Sequence, residues 1–426
     1  RENFRVNNYQ FKGSNPDAPG NNSINAIEFG DDGIIWVGSV DGLYKLKVSA
    51  DFQSAWYEPI NFKQNFSRYT RVYEITKDGQ YLWICCRDGL GRYNTITGES
   101  KFFTHSIDNP NSLPTNICRD IMKDSKGNYW VATEEGLCKL TITTVDGIEE
   151  FDFKTFRHNP SDPASISTDV VLSVWEEANG EIWIGTYGGG LNRLDPVTKK
   201  FKAYTEKDGL SNNAVYGVMG GESGSLWLTT NLGVSRLEIV NETFTTYLAS
   251  DGLQSNEFNT GAYYRSENGE LFFGGINGFN AFYPEDIKEN TIPPKMIITD
   301  VLLFNKTIPV GPGEILEQDP AYVPEIILNH TQSNITIKFA ALHYTNSSGN
   351  TYKYILEGDE AEFNEVGTRR EAYYTHLAPG PYTFKVYGTN SDGIWSPKPA
   401  IIKITVTPPF WQTWWFRGLL ILAAIL

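Results

Sequence analysis

"GEIWIGTYGGGLNRL", residues 180–194, sets a cluster of glycines (Gly185, Gly188, Gly189 and Gly190) between two apolar runs. Two readings compete for it. A phosphate cradle needs a glycine loop that feeds a helix whose N-terminus meets the anion. A hairpin needs only a turn between strands. The continuation "NRLDPVTKKFKAY" decides between them, because its apolar and aromatic positions flank Pro196 as a pair of strands would.

The stretch also has sisters. Aligned on its aromatic residue, the chain repeats at Trp36, Trp83, Trp130, Trp183, Trp227 and Phe272, at intervals of 47, 47, 53, 44 and 45 residues. A glycine precedes the aromatic by three or four residues in every copy (Gly33, Gly79, Gly127, Gly180, Gly224, Gly269). Another follows by six or seven (Gly42, Gly89, Gly136, Gly190, Gly233, Gly278). A basic residue stands three places further on in five copies: Lys45, Arg92, Lys139, Arg193 and Arg236.

Each copy resolves into four strands. In the fourth copy they are 169–177, 181–186, "LNRLD" and "KFKAYT", with Asn179-Gly180 as the first turn. Four strands recurring every 40 to 50 residues form a propeller blade, and blades bury their faces only by stacking in a ring. Six blades are visible. The N-terminal "FRVNNYQF" (4–11) reads as a lone fourth strand that completes the last blade, unless the ring has seven blades and lost one upstream.

After residue 290 the pattern changes to strands at sandwich spacing: 296–304, 334–342, 351–358, 371–377, 382–390 and 400–408. "LAPGPYTF" places Leu377, Pro379, Gly380 and Tyr382 as in the tyrosine corner of fibronectin-type sandwiches. The chain closes on "PPFWQTWWFRGLLILAAIL", a Trp-rich belt ahead of an apolar run. A spanning helix needs about 20 residues, so this reads as the truncated start of a transmembrane helix. The expected fold is all-β: a propeller over 1–290, an Ig/fibronectin-like sandwich over 291–407, and the start of that helix over 408–426.

Composition narrows the function. The formal net charge is −15 with no basic run, which speaks against nucleic acid as a partner. The four cysteines (Cys85, Cys86, Cys118, Cys138) include no CxxC pair and read as lone thiols buried in strands. No metal-ligand cluster, nucleophile elbow or Ser/His/Asp set is visible. Glu134-Glu135 and similar pairs are strand neighbours that point to opposite faces. No cofactor is expected.

The blade signature, the linkers "NPNSLPTN" (109–116) and "NPSDPASIST" (159–168), and "DGLQSNEFN" (251–259) resemble two-component regulator propeller repeats. Residues 352–396 resemble the Y_Y_Y domain that follows such propellers, and "PPFWQTWWF" (408–416) resembles the family's approach to the membrane. Their order is that of the periplasmic sensor half of hybrid two-component histidine kinases of gut Bacteroidota. Two features depart from that family. Its sensors usually carry two seven-bladed propellers, and Phe363 stands where a Trp usually follows "LEG".

The resemblance implies an inner-membrane protein whose periplasmic region senses a glycan-derived oligosaccharide. It also implies a homodimer through the Y_Y_Y domain and control of polysaccharide utilisation genes, with the kinase itself absent from this stretch. The alternatives are a propeller lyase acting on a polysaccharide or streptogramin-like substrate, and a surface adhesion or scaffold module.

The repeated aromatics are expected in the blade cores, since they recur at one mid-strand position. Ligand-binding candidates lie instead in the turns between second and third strands, which vary from blade to blade: Asp41, Arg87, Asp88, Glu134, Tyr187, Asn231 and Asn277. Arg87 suits a sulfate or uronate carboxylate, and Tyr187 suits a sugar face.

Overall fold

The computed structural model describes residues 23–31, 33–51, 54–62, 70–221, 224–288 and 290–425. The chain divides into two compact units, Arg1–Ile287 and Lys288–Leu426. Residues 4–11, expected to complete the last blade, lie outside the described residues.

The first unit holds six antiparallel sheets in chain order, five of four strands and a last one of three. Their first strands are Ile24–Phe29, Val72–Asp78, Cys118–Lys123, Val171–Glu176, Val215–Gly220 and Phe258–Arg265. Each touches the next, and the sixth also touches the first, so the six close a ring. Across that ring the Tyr263 hydroxyl of the sixth blade donates to Asp120 Oδ2 of the third at 3.0 Å. Its ring passes over Gly217, where an added Cβ would stand 2.3 Å from Tyr263 Cδ1.

The quoted glycines form the hairpin of the fourth blade, joining Ile182–Thr186 to Leu191–Leu194. Gly190 has φ +74° and a Cβ there would lie 2.1 Å from the Tyr204 carbonyl oxygen, so only glycine fits. The same turn carries a recurring bond from the residue that ends the second strand. Thr186 Oγ1 donates to Gly190 O at 2.7 Å, Thr133 to Gly136 at 2.6 Å, Thr230 to Gly233 at 3.0 Å and Ser39 to Gly42 at 3.3 Å. In the second blade the thiol of Cys86 takes the hydroxyl's place, 2.9 Å from Gly89 O.

Trp36, Trp83, Trp130, Trp183 and Trp227 are all buried, as expected of core positions. Each of the last four stacks on the fourth-strand aromatic of its own blade: Phe103, Phe156, Tyr204 and Tyr247. Their outer faces pack on the following blade, so each core cluster joins two blades; Trp183, for example, shares its cluster with Val215, Val218 and Leu228. The repeated basic residue covers the indole: the cations of Arg92, Lys139, Arg193 and Arg236 lie 5.6–5.8 Å from the Trp centroids. Phe272 departs from its sisters and is only partly buried. Its sheet has no fourth strand among the described residues to supply the stacking partner.

The second unit is a sandwich of a four-stranded and a five-stranded sheet. Ile337 and Phe339 of one meet Leu356, Phe384 and Ile402 of the other in its core. Tyr382 donates its hydroxyl to Ala378 O at 2.9 Å, which makes the tyrosine corner. Residues Trp414–Ile425 form a helix of 12 residues, and no helix among the described residues is long and apolar enough to cross a membrane.

Candidate functional site at one mouth of the propeller

Every first strand carries a break in register near its start. It falls at Asn25, Tyr73, Arg119, Leu172 and Tyr216, and over residues 259–262 in the sixth blade. In the fourth blade Val171 pairs with Thr186 and Ser173 with Gly185, leaving Leu172 unpaired beside the turn that holds Tyr187. A bulge re-aims the extra side chain. The bulged residues and the turns after the second strands therefore share one end of the ring. In the first five blades the bulged position carries Asn25, Tyr73, Arg119, Leu172 and Tyr216.

Two groups of side chains form there. Between the second and third blades, the Arg119 guanidinium lies 4.2 Å over the Tyr73 ring and donates from Nε to Glu134 Oε1 at 3.1 Å. A second contact from Arg119 Nη2 closes that ion pair. Between the fourth and fifth blades, Tyr187 is 58% exposed and its backbone N–H donates to Val170 O at 3.0 Å. Tyr216 donates its hydroxyl to Asn231 Oδ1 at 3.4 Å. The Tyr216 hydroxyl titrates above its ordinary range because of burial, and then because of the nearby Tyr187 and Glu257.

The seven turn residues expected from sequence all fall at this end, but in different states. Glu134 is committed to Arg119. The Asn277 N–H donates to Gln254 Oε1 at 2.8 Å and its amide nitrogen reaches Gln254 O at 3.4 Å. Asp41 is half-buried, its N–H bonded to Ser39 Oγ at 3.0 Å, and Asp88 is likewise half-buried. Arg87 is exposed, tied by its backbone N–H to Arg71 O at 3.0 Å. Sequence reasoning missed Tyr73, Arg119 and Tyr216. No signal in the strand itself singles them out, because the next aligned position (Ala26, Glu74, Asp120, Ser173, Gly217) varies as much.

The mouth offers aromatic faces, a guanidinium and amides, which suit recognition of a polar ligand with planar or ring faces. Among the described residues no three His, Cys, Asp or Glu side chains are grouped to hold a metal ion. All four cysteines are buried and free. Burial pushes the Cys86 and Cys138 thiols up to about 12 and those of Cys85 and Cys118 well above their ordinary value, so they stay protonated and are poor nucleophiles.

Residues 343–407 match the Y_Y_Y domain, and residues 112–135 match the two component regulator propeller. Over 399 residues the chain is 31% identical to histidine kinase P4 of Formosa agariphila; the match covers 92% of this chain. The chain spans 28% of that relative's length. Its fold is similar to the extracellular domain of a putative hybrid two-component system of B. thetaiotaomicron. There the TM-score is 0.70 at 19% identity, over 94% of this chain and 57% of the other.

Proposed function

We propose that this chain, which carries a two-component regulator propeller repeat and a Y_Y_Y domain and is homologous to a histidine kinase, is the extracytoplasmic sensing region of a membrane-bound hybrid sensor kinase. In this reading it lies in the periplasm, detects a glycan-derived oligosaccharide and controls genes for polysaccharide use. The observation that carries the sensing role is the mouth itself. Six blades built on one repeat present there a set of residues that differ from blade to blade. An asymmetric ligand needs that variation and a scaffold does not.

Each residue then takes a role from its setting. Tyr187 and Tyr216 supply ring faces for sugar C–H groups, and Asn231 orients Tyr216. Arg87, exposed and outside the ion pairs among the described residues, meets a carboxylate or sulfate. Glu134 fixes Arg119 against Tyr73 and so shapes the wall. Asn277 closes its turn on Gln254 and presents that edge of the mouth. The Y_Y_Y sandwich passes the ligand's differential affinity for two states to the helix Trp414–Ile425, through a homodimer formed by the sandwich.

The test is a calorimetric titration of the 426-residue chain against neutral, uronic and sulfated oligosaccharides, with product analysis after each titration. Saturable binding with unaltered oligosaccharide is the expected result. Cleavage products would replace the sensor with a propeller lyase.

A further inference from the structure

Blades two, three and four each set two cations directly opposite one another on their third and fourth strands: Arg92 with Lys101, Lys139 with Lys154, and Arg193 with Lys202. Like charges in that register repel. Two of the three pairs receive a carboxylate from the following blade. Glu149 accepts from Arg92 Nη1 at 3.1 Å and also acts on Lys101. Glu242 lies 3.8 Å from Arg193 and pairs with Lys202 at 2.5 Å.

The third blade receives the opposite charge. Glu242 sits on the turn between the third and fourth strands of its blade at φ +53°. The residue at the same place in the fourth blade is Lys199, at φ +57°. Lys139, Lys154 and Lys199 all line one cavity of about 150 Å³, floored by Trp130 and Phe156. Among the described residues none of the three lies within 4 Å of a carboxylate oxygen.

Carboxylates do border the cavity, but three of the four are spoken for. Asp124 accepts from Trp130 Nε1 at 3.0 Å and from the backbone N–H groups of Lys126 and Asn128. Glu176 accepts from the N–H and hydroxyl of Ser125 at 2.6 and 2.8 Å. Asp195 accepts from the N–H groups of Val197 and Thr198 at 2.7 and 3.0 Å. Asp152 is exposed at the rim and pairs with none of the lysines.

We propose that this cavity binds an oxyanion group, a sulfate, phosphate or carboxylate, in the place that Glu242 fills for the neighbouring blade. The anion accepts from Lys139, Lys154 and Lys199 and removes the repulsion of the cross-strand pair. The site lies among turns at the opposite end from the mouth, since Gly180 and Lys199 are on its rim. It is independent of the sensor reading.

Calorimetric titration at constant ionic strength tests it, with sodium sulfate, sodium phosphate, glucuronate and galactose 6-sulfate as probes and sodium chloride as the balance. Lys199→Glu supplies the missing carboxylate, and Lys154→Thr copies the fifth blade, where Thr245 opposes Arg236. Saturable binding of at least one probe is expected. It should weaken about tenfold or more in both variants, the scale of one lost charge-assisted bond. In chloride, Lys199→Glu should unfold at no lower temperature than the parent. Binding of the inorganic ions identifies a free anion; binding of the sugar acids alone identifies a glycan-borne group. No binding by any of the four probes, or equal binding by parent and Lys199→Glu, overturns the proposal.

Discussion

Trp183 shows how much one position decides. It is fully buried, stacked on Tyr204 with centroids 5.8 Å apart and packed on the fifth blade. Trp183→Ala should cost about 3–5 kcal/mol in denaturant unfolding, the usual range for a buried aromatic. A loss under about 1 kcal/mol would mean that this indole is not the joint between the blades. Gly190→Ala should cost about 2 kcal/mol or more, because it combines a positive φ with a backbone clash at the Tyr204 carbonyl. Gly188→Ala, also at positive φ but with open space around its Cβ, should cost clearly less. These positions were legible in the sequence because a repeat averages over its copies. Residues that recur in register are scaffold, and the basic residue that follows the turn in five blades covers the indole in four of them.

At the scale of the strand and hairpin the sequence says less. The bulge that turns out Tyr73, Arg119 and Tyr216 is a property of two paired strands, and no single strand's alternation reveals it. Likewise Lys139 and Lys154 stand opposite only because the hairpin Gly136–Val145 and Ile148–Phe156 pairs in a particular register. Phe272 follows the repeat in sequence yet is only partly buried, since its burial depends on a fourth strand. The bulge supports a prediction at this scale. Arg119→Ala should leave the unfolding free energy within about 1 kcal/mol of the parent, because its ion pair with Glu134 is partly exposed. It should weaken binding of any oligosaccharide that the mouth takes. Unchanged affinity would separate the second–third blade wall from the site.

For the whole molecule, the six first strands converge on a polar centre. Glu74 keeps a little contact with solvent but is ringed by protein. Burial, and then the charge of Asp120, raise its carboxyl well above the ordinary carboxylate range. Asp120 is raised as well, by burial, against the bonds it accepts from Val174 and Tyr263. The folded chain thus holds protons that the unfolded chain has released. This contribution to stability is present below the ordinary carboxylate range and is lost as pH rises through the raised value. Glu74→Gln keeps the neutral form at all pH. Urea unfolding at about pH 5 and about pH 8 should therefore show the parent losing stability relative to Glu74→Gln on the alkaline side; parallel behaviour at both values would contradict the buried-carboxyl account.

The fold class, the repeat and the sandwich were readable from the sequence. Whether six blades suffice to close the ring was not, because closure rests on the contact of Phe258–Arg265 with Ile24–Phe29, strands from opposite ends of the first unit. The account's central claim is that the bulged mouth is where ligand is sensed. Hydrogen–deuterium exchange tests it most directly, measured with and without whichever oligosaccharide binds in the titration. Protection is predicted at 71–73, 117–119, 187–190 and 213–216, the bulges and turns of the mouth. Protection confined to the opposite turns around 178–180, or to the second unit alone, would contradict it.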